Sequence, residues 1–209
     1  MNTRIGSALW AWPAILLLAA APVWGQARMH LDHVTKSLAD TPAQLGLVSI
    51  AEQEAEIVGR HAQFAVTDLE DLANIQRHTR HVRHAIDPST VAIGPGKGYG
   101  LVQAARGIVT HMELAVGSGD ASESTKLHGQ HVLVSAGNII RWAEKINSMG
   151  YQITGGASPI ASAYYAERIL EMIQWVVEGH DADGDGTITW MADEGGLAQI
   201  KLHLGKIVQ

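Results

Sequence analysis

The stretch LANIQRHTRHVRHAI at residues 72–86 shows most clearly how this chain folds. Apolar residues and one histidine recur there every three or four positions, at Leu72, Ile75, His78, Val82 and Ile86. Residues three and four apart share one face of an α-helix, so this spacing predicts an amphipathic helix with His78 in its apolar stripe. His81 follows three positions later and adds a second imidazole beside the first.

The pattern His-x-x-His-Val within this stretch occurs three times, at His30/His33/Val34, His78/His81/Val82 and His128/His131/Val132. A degenerate fourth copy has His203, Lys206 and Ile207. His61 lies 17 residues before His78, and His111 lies 17 before His128. Because three histidines recur with the same spacing 50 residues apart, the sequence predicts a duplicated structural unit.

Helical periodicity continues along almost the whole chain, and it is interrupted by turn-forming residues. Asp87-Pro88, the linker GPGKGYG at residues 94–100, and the glycines at 150 and 155–156 are the main interruptions. We therefore expect an all-α fold, a bundle of about seven helices built from repeated antiparallel hairpins. Residues 27–209 form one domain in this prediction.

The first 26 residues are predicted to be a signal peptide. Arg4 provides a positive charge, and residues 5–24 are apolar and rich in leucine and alanine. An uncleaved N-terminal anchor is the alternative, since the apolar stretch approaches the ~20 residues that span a bilayer. With cleavage, we expect a periplasmic or secreted protein without a membrane segment, because no second long apolar run follows.

Composition limits the possible functions. The chain has no cysteine, which excludes disulfides, iron–sulfur clusters and covalent c-type haem. Its net charge is −6 and it has no basic stripe, so we expect no nucleic-acid partner. No phosphate-binding loop or nucleophile elbow is present. The sequence therefore favours a binding or structural protein over an enzyme, and it identifies no protein partner.

The repeated histidines are candidate ligands of a transition metal such as zinc or copper. The two predicted sets are His61, His78 and His81, and His111, His128 and His131. Three imidazoles with an open position are a known zinc and copper arrangement. A b-type haem held between histidines of opposite helices is an alternative, and buried hydrogen-bonded histidines are another. The pair His30/His33 either completes a site in the bundle or forms a separate amino-terminal pair.

An aspartate-rich segment, DADGDGTIT at residues 181–189, resembles the calcium loop of an EF-hand. The resemblance implies oxygen ligands from Asp181, Asp183, Asp185, Thr187 and Thr189. Position 12, where such loops have a bidentate glutamate, is Ala192, and Asp193 and Glu194 follow it. Either of these two can replace the missing ligand if the next helix begins later. The alternative is an acidic surface turn at residues 181–194 that binds no ion.

Taken together, the His-x-x-His-Val helices, the glycine-rich linker and the aspartate loop resemble a loose group of exported bacterial helical proteins. The resemblance extends over about 130 residues, although its motifs are short. It implies export and ion binding, and it implies no reaction.

Overall fold

A computed structural model describes residues 25–207, and this range contains seven α-helices and no strand. The prediction of an all-α helical bundle is confirmed, whereas the duplication stays a prediction. Residues 1–24 of the predicted signal peptide lie outside the described range. The helices are α1 (Gln26–Thr35), α2 (Leu47–Ala65), α3 (Leu72–Ile86), α4 (Leu101–Gly117), α5 (Glu123–Thr154), α6 (Pro159–Glu178) and α7 (Leu197–Ile207). None of these described helices is both long and apolar enough to cross a membrane.

Helix α5 is the longest element, and α3, α4, α6 and α7 all pack against it. Its 32 residues extend over about 48 Å at 1.5 Å per residue. Its buried apolar side chains recur every three or four positions, as expected for a helix that faces a core: Val132, Ala136, Ile139, Ala143, Ile146 and Ile153. One helix therefore supports most of the bundle.

Gly150 allows α3 to approach α5 closely. The sequence predicted that α5 ends before this glycine, but the helix continues through it to Thr154. A Cβ atom at position 150 would lie 2.8 Å from Cγ of Arg83 on α3. The Arg83 guanidinium donates hydrogen bonds to Oδ1 of Asn147 at 3.1 Å and to Oγ1 of Thr154 at 3.0 Å. The glycine therefore makes room for a packed arginine and does not end the helix.

A buried carboxylate on α2 holds the glycine-rich linker in place. Oε1 of Glu54 accepts hydrogen bonds from the backbone N–H groups of Lys97, Tyr99 and Gly100 at 3.0–3.2 Å. A Cβ at Gly96 would lie only 2.6 Å from the other carboxylate oxygen, so the linker passes directly over the Glu54 side chain. Since α4 begins at Leu101, this contact also fixes where α4 starts relative to α2.

We predict that Glu54→Ala lowers the free energy of unfolding by about 3 kcal/mol, because three backbone N–H groups, of which that of Gly100 is buried, lose their acceptor. Urea unfolding followed by circular dichroism measures this change. Glu56→Ala is the matched control, since Glu56 is an exposed residue of the same helix and forms a surface ion pair with Arg60. The control should change the free energy of unfolding by less than ~0.5 kcal/mol. Equal effects of the two substitutions would contradict the role given to Glu54.

Candidate metal centres

Nine of the eleven histidines form three clusters on the described part of the chain. In each cluster, one nitrogen from each of three rings lies within 4.8 Å of the others. We name them site 1 (His30, His33 and His111), site 2 (His61, His78 and His81) and site 3 (His128, His131 and His203). Every site combines a His-x-x-His pair from one helix with a single histidine from a neighbouring helix. The helices are α1 and α4 at site 1, α3 and α2 at site 2, and α5 and α7 at site 3.

The three sites share one geometry, with Nδ1 of the single histidine at the centre. This atom lies 3.0 and 3.4 Å from the Nδ1 atoms of the pair at site 1. The corresponding distances are 3.0 and 3.3 Å at site 2, and 3.1 and 3.3 Å at site 3. Two nitrogens bound to one tetrahedral zinc at ~2.0–2.1 Å are about 3.4 Å apart. The observed separations lie close to this value, so each triad can hold one small ion.

Hydrogen bonds among the three rings cannot satisfy both neighbours of the central Nδ1 atom at the same time. A neutral imidazole nitrogen either carries one proton and donates, or has one lone pair and accepts. A central Nδ1 that accepts from one neighbour therefore has no lone pair left for the other. A central Nδ1 that donates has to share its single proton between two acceptors. A metal ion, in contrast, accepts all three lone pairs at once.

At each site, burial lowers the pKa of the single histidine and so favours the neutral imidazole, which is the form that binds metal. Burial, followed by the charges of neighbouring histidines, lowers the pKa of His61 to about 4. The pKa of His203 is also lowered to about 4, by burial and by the nearby His131 and Lys206. The pKa of His111 is lowered for the same main reason, with a smaller contribution from the His-x-x-His pair of α1.

The valine of each signature fixes the orientation of the histidine pair before it. Val34, Val82 and Val132 are almost completely buried. Since each valine follows the second histidine directly, the pair lies at the edge of the core, where the rings are half-buried. The sequence pattern therefore places two imidazoles next to the neighbouring helix without burying them in the apolar interior.

Asp120 positions α1 for site 1. Its carboxylate accepts hydrogen bonds from the N–H groups of Gly25 at 2.5 Å and Ala27 at 3.1 Å, at the start of α1. A carboxylate at a helix N-terminus satisfies free N–H groups and opposes the helix dipole. Asp120 belongs to the turn between α4 and α5, so this contact holds the short α1 beside the helix that carries His111.

The aspartate loop brings three predicted ligands together. Carboxylate oxygens of Asp181, Asp183 and Asp185 lie within 4.8 Å of one another. The N–H of Thr187 donates to Oδ1 of Asp185 at 2.7 Å. These contacts fold the segment into a compact turn in which the three carboxylates lie close together.

The two candidates for the missing position-12 ligand have different surroundings. Asp193 forms an ion pair with Arg141 at 2.9 Å and is not part of the aspartate cluster. Glu194 is buried, and its Oε2 accepts hydrogen bonds from N and Oγ1 of Thr189 at 2.9 and 2.5 Å. Glu194 therefore faces the loop through a predicted ligand residue, whereas Asp193 faces α5.

The structure brings together one of the two predicted histidine sets and divides the other. His61, His78 and His81 converge as predicted. His111 does not join His128 and His131, because it faces α1 and completes site 1. The 17-residue spacing gives similar heights along two consecutive helices, but α4 packs against both α1 and α5. Height alone does not determine which neighbour a side chain faces.

The sequence pattern does not predict His203 as a ligand, and it leaves two roles open for His30 and His33. His203 lay in a degenerate copy without a second histidine, yet site 3 needs only one histidine from α7. A count does not single out His203, because five histidines lie outside the three His-x-x-His-Val signatures, at positions 61, 84, 111, 180 and 203. Of the two histidines outside the triads, His84 is buried, and its Nδ1 lies 2.6 Å from the carbonyl oxygen of Val91.

Comparison with known proteins gives no relative for this chain. No family model matches it, and neither a curated protein nor a solved structure matches it significantly.

Acid should destabilise the metal-free protein. Because the pKa values of His61 and His203 are lowered to about 4, the unfolded chain binds more protons than the folded one between about pH 6.5 and pH 4. The free energy of unfolding should therefore fall as the pH is lowered through this window. The free energy of unfolding of the His61→Gln variant should fall less than that of wild type over the same pH range. Urea unfolding with a chelator present measures this change. Equal losses in the two proteins would show that His61 does not contribute.

Proposed function

We propose that this protein is an exported metal-binding protein that holds one transition-metal ion at each of its three histidine sites. The observation that supports this most strongly is the repetition of one Nδ1 geometry on three different helix pairs. A chance contact between imidazoles has no reason to recur with separations that agree within a few tenths of an ångström. A requirement for the same ligand at all three places accounts for the repetition.

The chemistry of the donors favours zinc or monovalent copper. Three neutral nitrogens suit zinc and copper, whereas magnesium and calcium prefer oxygen ligands. Divalent copper prefers a tetragonal arrangement, which three nitrogens gathered around one point do not supply. None of the triads includes a fourth histidine, aspartate or glutamate from the described residues. The fourth position is therefore open to water or to an external ligand, which suits a protein that takes up and releases ions.

A b-type haem fits the triads less well than a single ion. With iron–nitrogen bonds as long as zinc–nitrogen bonds, ~2.0 Å, the two axial nitrogens of a haem are about 4 Å apart on opposite faces of the ring. The central Nδ1 atom of each site instead has two neighbours at 3.0–3.4 Å. These distances favour a small ion, so we do not propose haem here.

The protein should bind three equivalents of zinc per chain, and a single substitution should abolish binding at one site without affecting the other two. We predict that His61→Gln, His111→Gln and His203→Gln each remove one equivalent, because each deletes the central ligand of one triad. Competition between the protein and a chromophoric chelator measures the stoichiometry, and cobalt absorption reports the coordination geometry. The triple variant should retain none of the three equivalents.

His180→Gln is the matched control for these variants. This histidine stacks on Trp175 and belongs to no triad, so the variant should bind three equivalents. Wild-type protein that binds no zinc, copper or cobalt would contradict the proposal. A uniform loss of stability in the three site variants, without any metal in the wild type, would support a purely structural role for the histidines.

We also propose that the loop at residues 181–194 binds calcium, as the resemblance to an EF-hand implies. The convergence of three carboxylates supports this, because like charges so close together repel one another unless a cation or protons neutralise them. The absence of a bidentate glutamate at position 12 places the expected affinity at the weak end, ~10⁻⁴–10⁻³ M.

Millimolar calcium should raise the melting temperature of wild-type protein, because a ligand bound only by the folded state stabilises it. Asp181→Ala combined with Asp183→Ala should abolish this shift. Asp193→Ala is the control, since its carboxylate pairs with Arg141, and it should retain the calcium response. If the double variant and wild type respond to calcium identically, the segment is only an acidic turn.

A further inference from the structure

Site 3 differs from the other two sites in the chain segment that precedes the helix of its single histidine. His203 lies on α7, and the segment between α6 and α7 is the C-terminal loop, residues 179–196, which contains the aspartates. The loop is closed at its base, where the N–H of His180 donates to the carbonyl oxygen of Glu194 at 2.8 Å. Nε2 of Gln199, in the first turn of α7, donates to the carbonyl oxygen of Ile188 at 2.8 Å. The loop and the start of α7 are therefore held together.

The C-terminal loop also contacts a ligand of site 3 directly. The indole ring of Trp190 stacks on the imidazole of His131, with ring centroids 4.0 Å apart and an angle of 11° between the planes. At site 2, the nearest comparable side chain is Phe64, which is 42% exposed and meets His61 edge-on. Only at site 3 do the described contacts include a parallel stack on a ligand ring by an aromatic residue that is not itself a member of the triad.

The same loop is fastened to α5 one and two turns beyond His131. Nδ2 of the buried Asn138 donates to the carbonyl oxygens of Met191 at 2.9 Å and Gly195 at 3.0 Å. Its Oδ1 accepts a hydrogen bond from the N–H of Asp193 at 2.9 Å. A Cβ atom at Gly195 would overlap Oγ of Ser135, so the loop backbone lies directly against the helix. Residues at positions i, i+4 and i+7 share one helix face, and here that face carries both the ligand and the loop.

We infer that the C-terminal loop assembles site 3: Trp190 orients the His131 ring, and docking on Asn138 sets the position of α7 and therefore of His203. This inference rests on the proposed function. Because the loop touches one ligand and precedes the helix of another, metal binding at site 3 and docking of the loop are linked. By thermodynamic reciprocity, each strengthens the other by the same factor. Sites 1 and 2 are built from other helices and bind metal independently of the loop.

The test uses zinc and proteins that retain selected sites. His61→Gln with His111→Gln leaves site 3 alone, and His203→Gln leaves sites 1 and 2. In the site-3 protein, Trp190→Ala and Asn138→Ala should each raise the zinc dissociation constant by about fivefold or more, the lower end of typical coupling between linked sites. Trp190→Phe should restore most of the affinity, because a phenyl ring can still stack on the imidazole. In the protein that retains sites 1 and 2, Trp190→Ala should leave the zinc dissociation constants unchanged.

Hydrogen exchange gives the reciprocal readout. Zinc should slow exchange of the backbone amides in residues 179–196 of the site-3 protein, and it should not do so when His203 is replaced. The inference is overturned if Trp190→Ala and Asn138→Ala leave zinc affinity at site 3 unchanged, or if Trp190→Ala weakens all three sites equally. Absence of zinc binding at sites 1 and 2 as well would instead overturn the proposed function, so the two failures are distinguishable.

Discussion

Three imidazole nitrogens that converge on one point are the constraint around which this fold is arranged. Their lone pairs cannot all be satisfied by one another's protons, whereas one small cation satisfies them together. The arrangement occurs at three helix interfaces that involve six of the seven described helices. Site 1 joins residues 81 positions apart, and site 3 joins residues 75 positions apart. A metal ion bound there would cross-link distant segments, and its binding free energy would become folding free energy.

The apolar core holds the histidine rings in position. Most core side chains are alanine, valine, isoleucine and leucine, and the rings of the triads lie at the edge of that core. The buried valine after each histidine pair ties the ring positions to the packing of the helix. Three hydrogen-bonding side chains then set the positions of the helices at the sites. They are the Asp120 carboxylate at the start of α1, the Glu54 carboxylate under the linker before α4, and the Asn138 amide under the C-terminal loop.

Much of this architecture was predictable from periodicity, and the errors have physical reasons. The helical class follows from apolar residues spaced three and four apart, and site 2 follows because α2 and α3 are consecutive and joined by a short turn. Site 1 was not predictable from spacing, since α4 packs against α1, α2 and α5 and the pattern does not state which of them His111 faces. Gly150 was misinterpreted as a break because the arginine that packs over it is distant in sequence. Glu54 shows the same limit, because its backbone donors lie 43–46 residues away.

The most direct test of the three metal sites is an anomalous difference map from a crystal of the zinc-loaded protein, recorded on both sides of the zinc absorption edge. Three peaks are expected, one in each triad, each within ~2.0–2.1 Å of three Nδ1 atoms. Their fourth position should hold water or another external ligand. Zinc found only at surface carboxylates, or triads whose rings remain hydrogen-bonded to one another in the presence of excess zinc, would contradict this expectation.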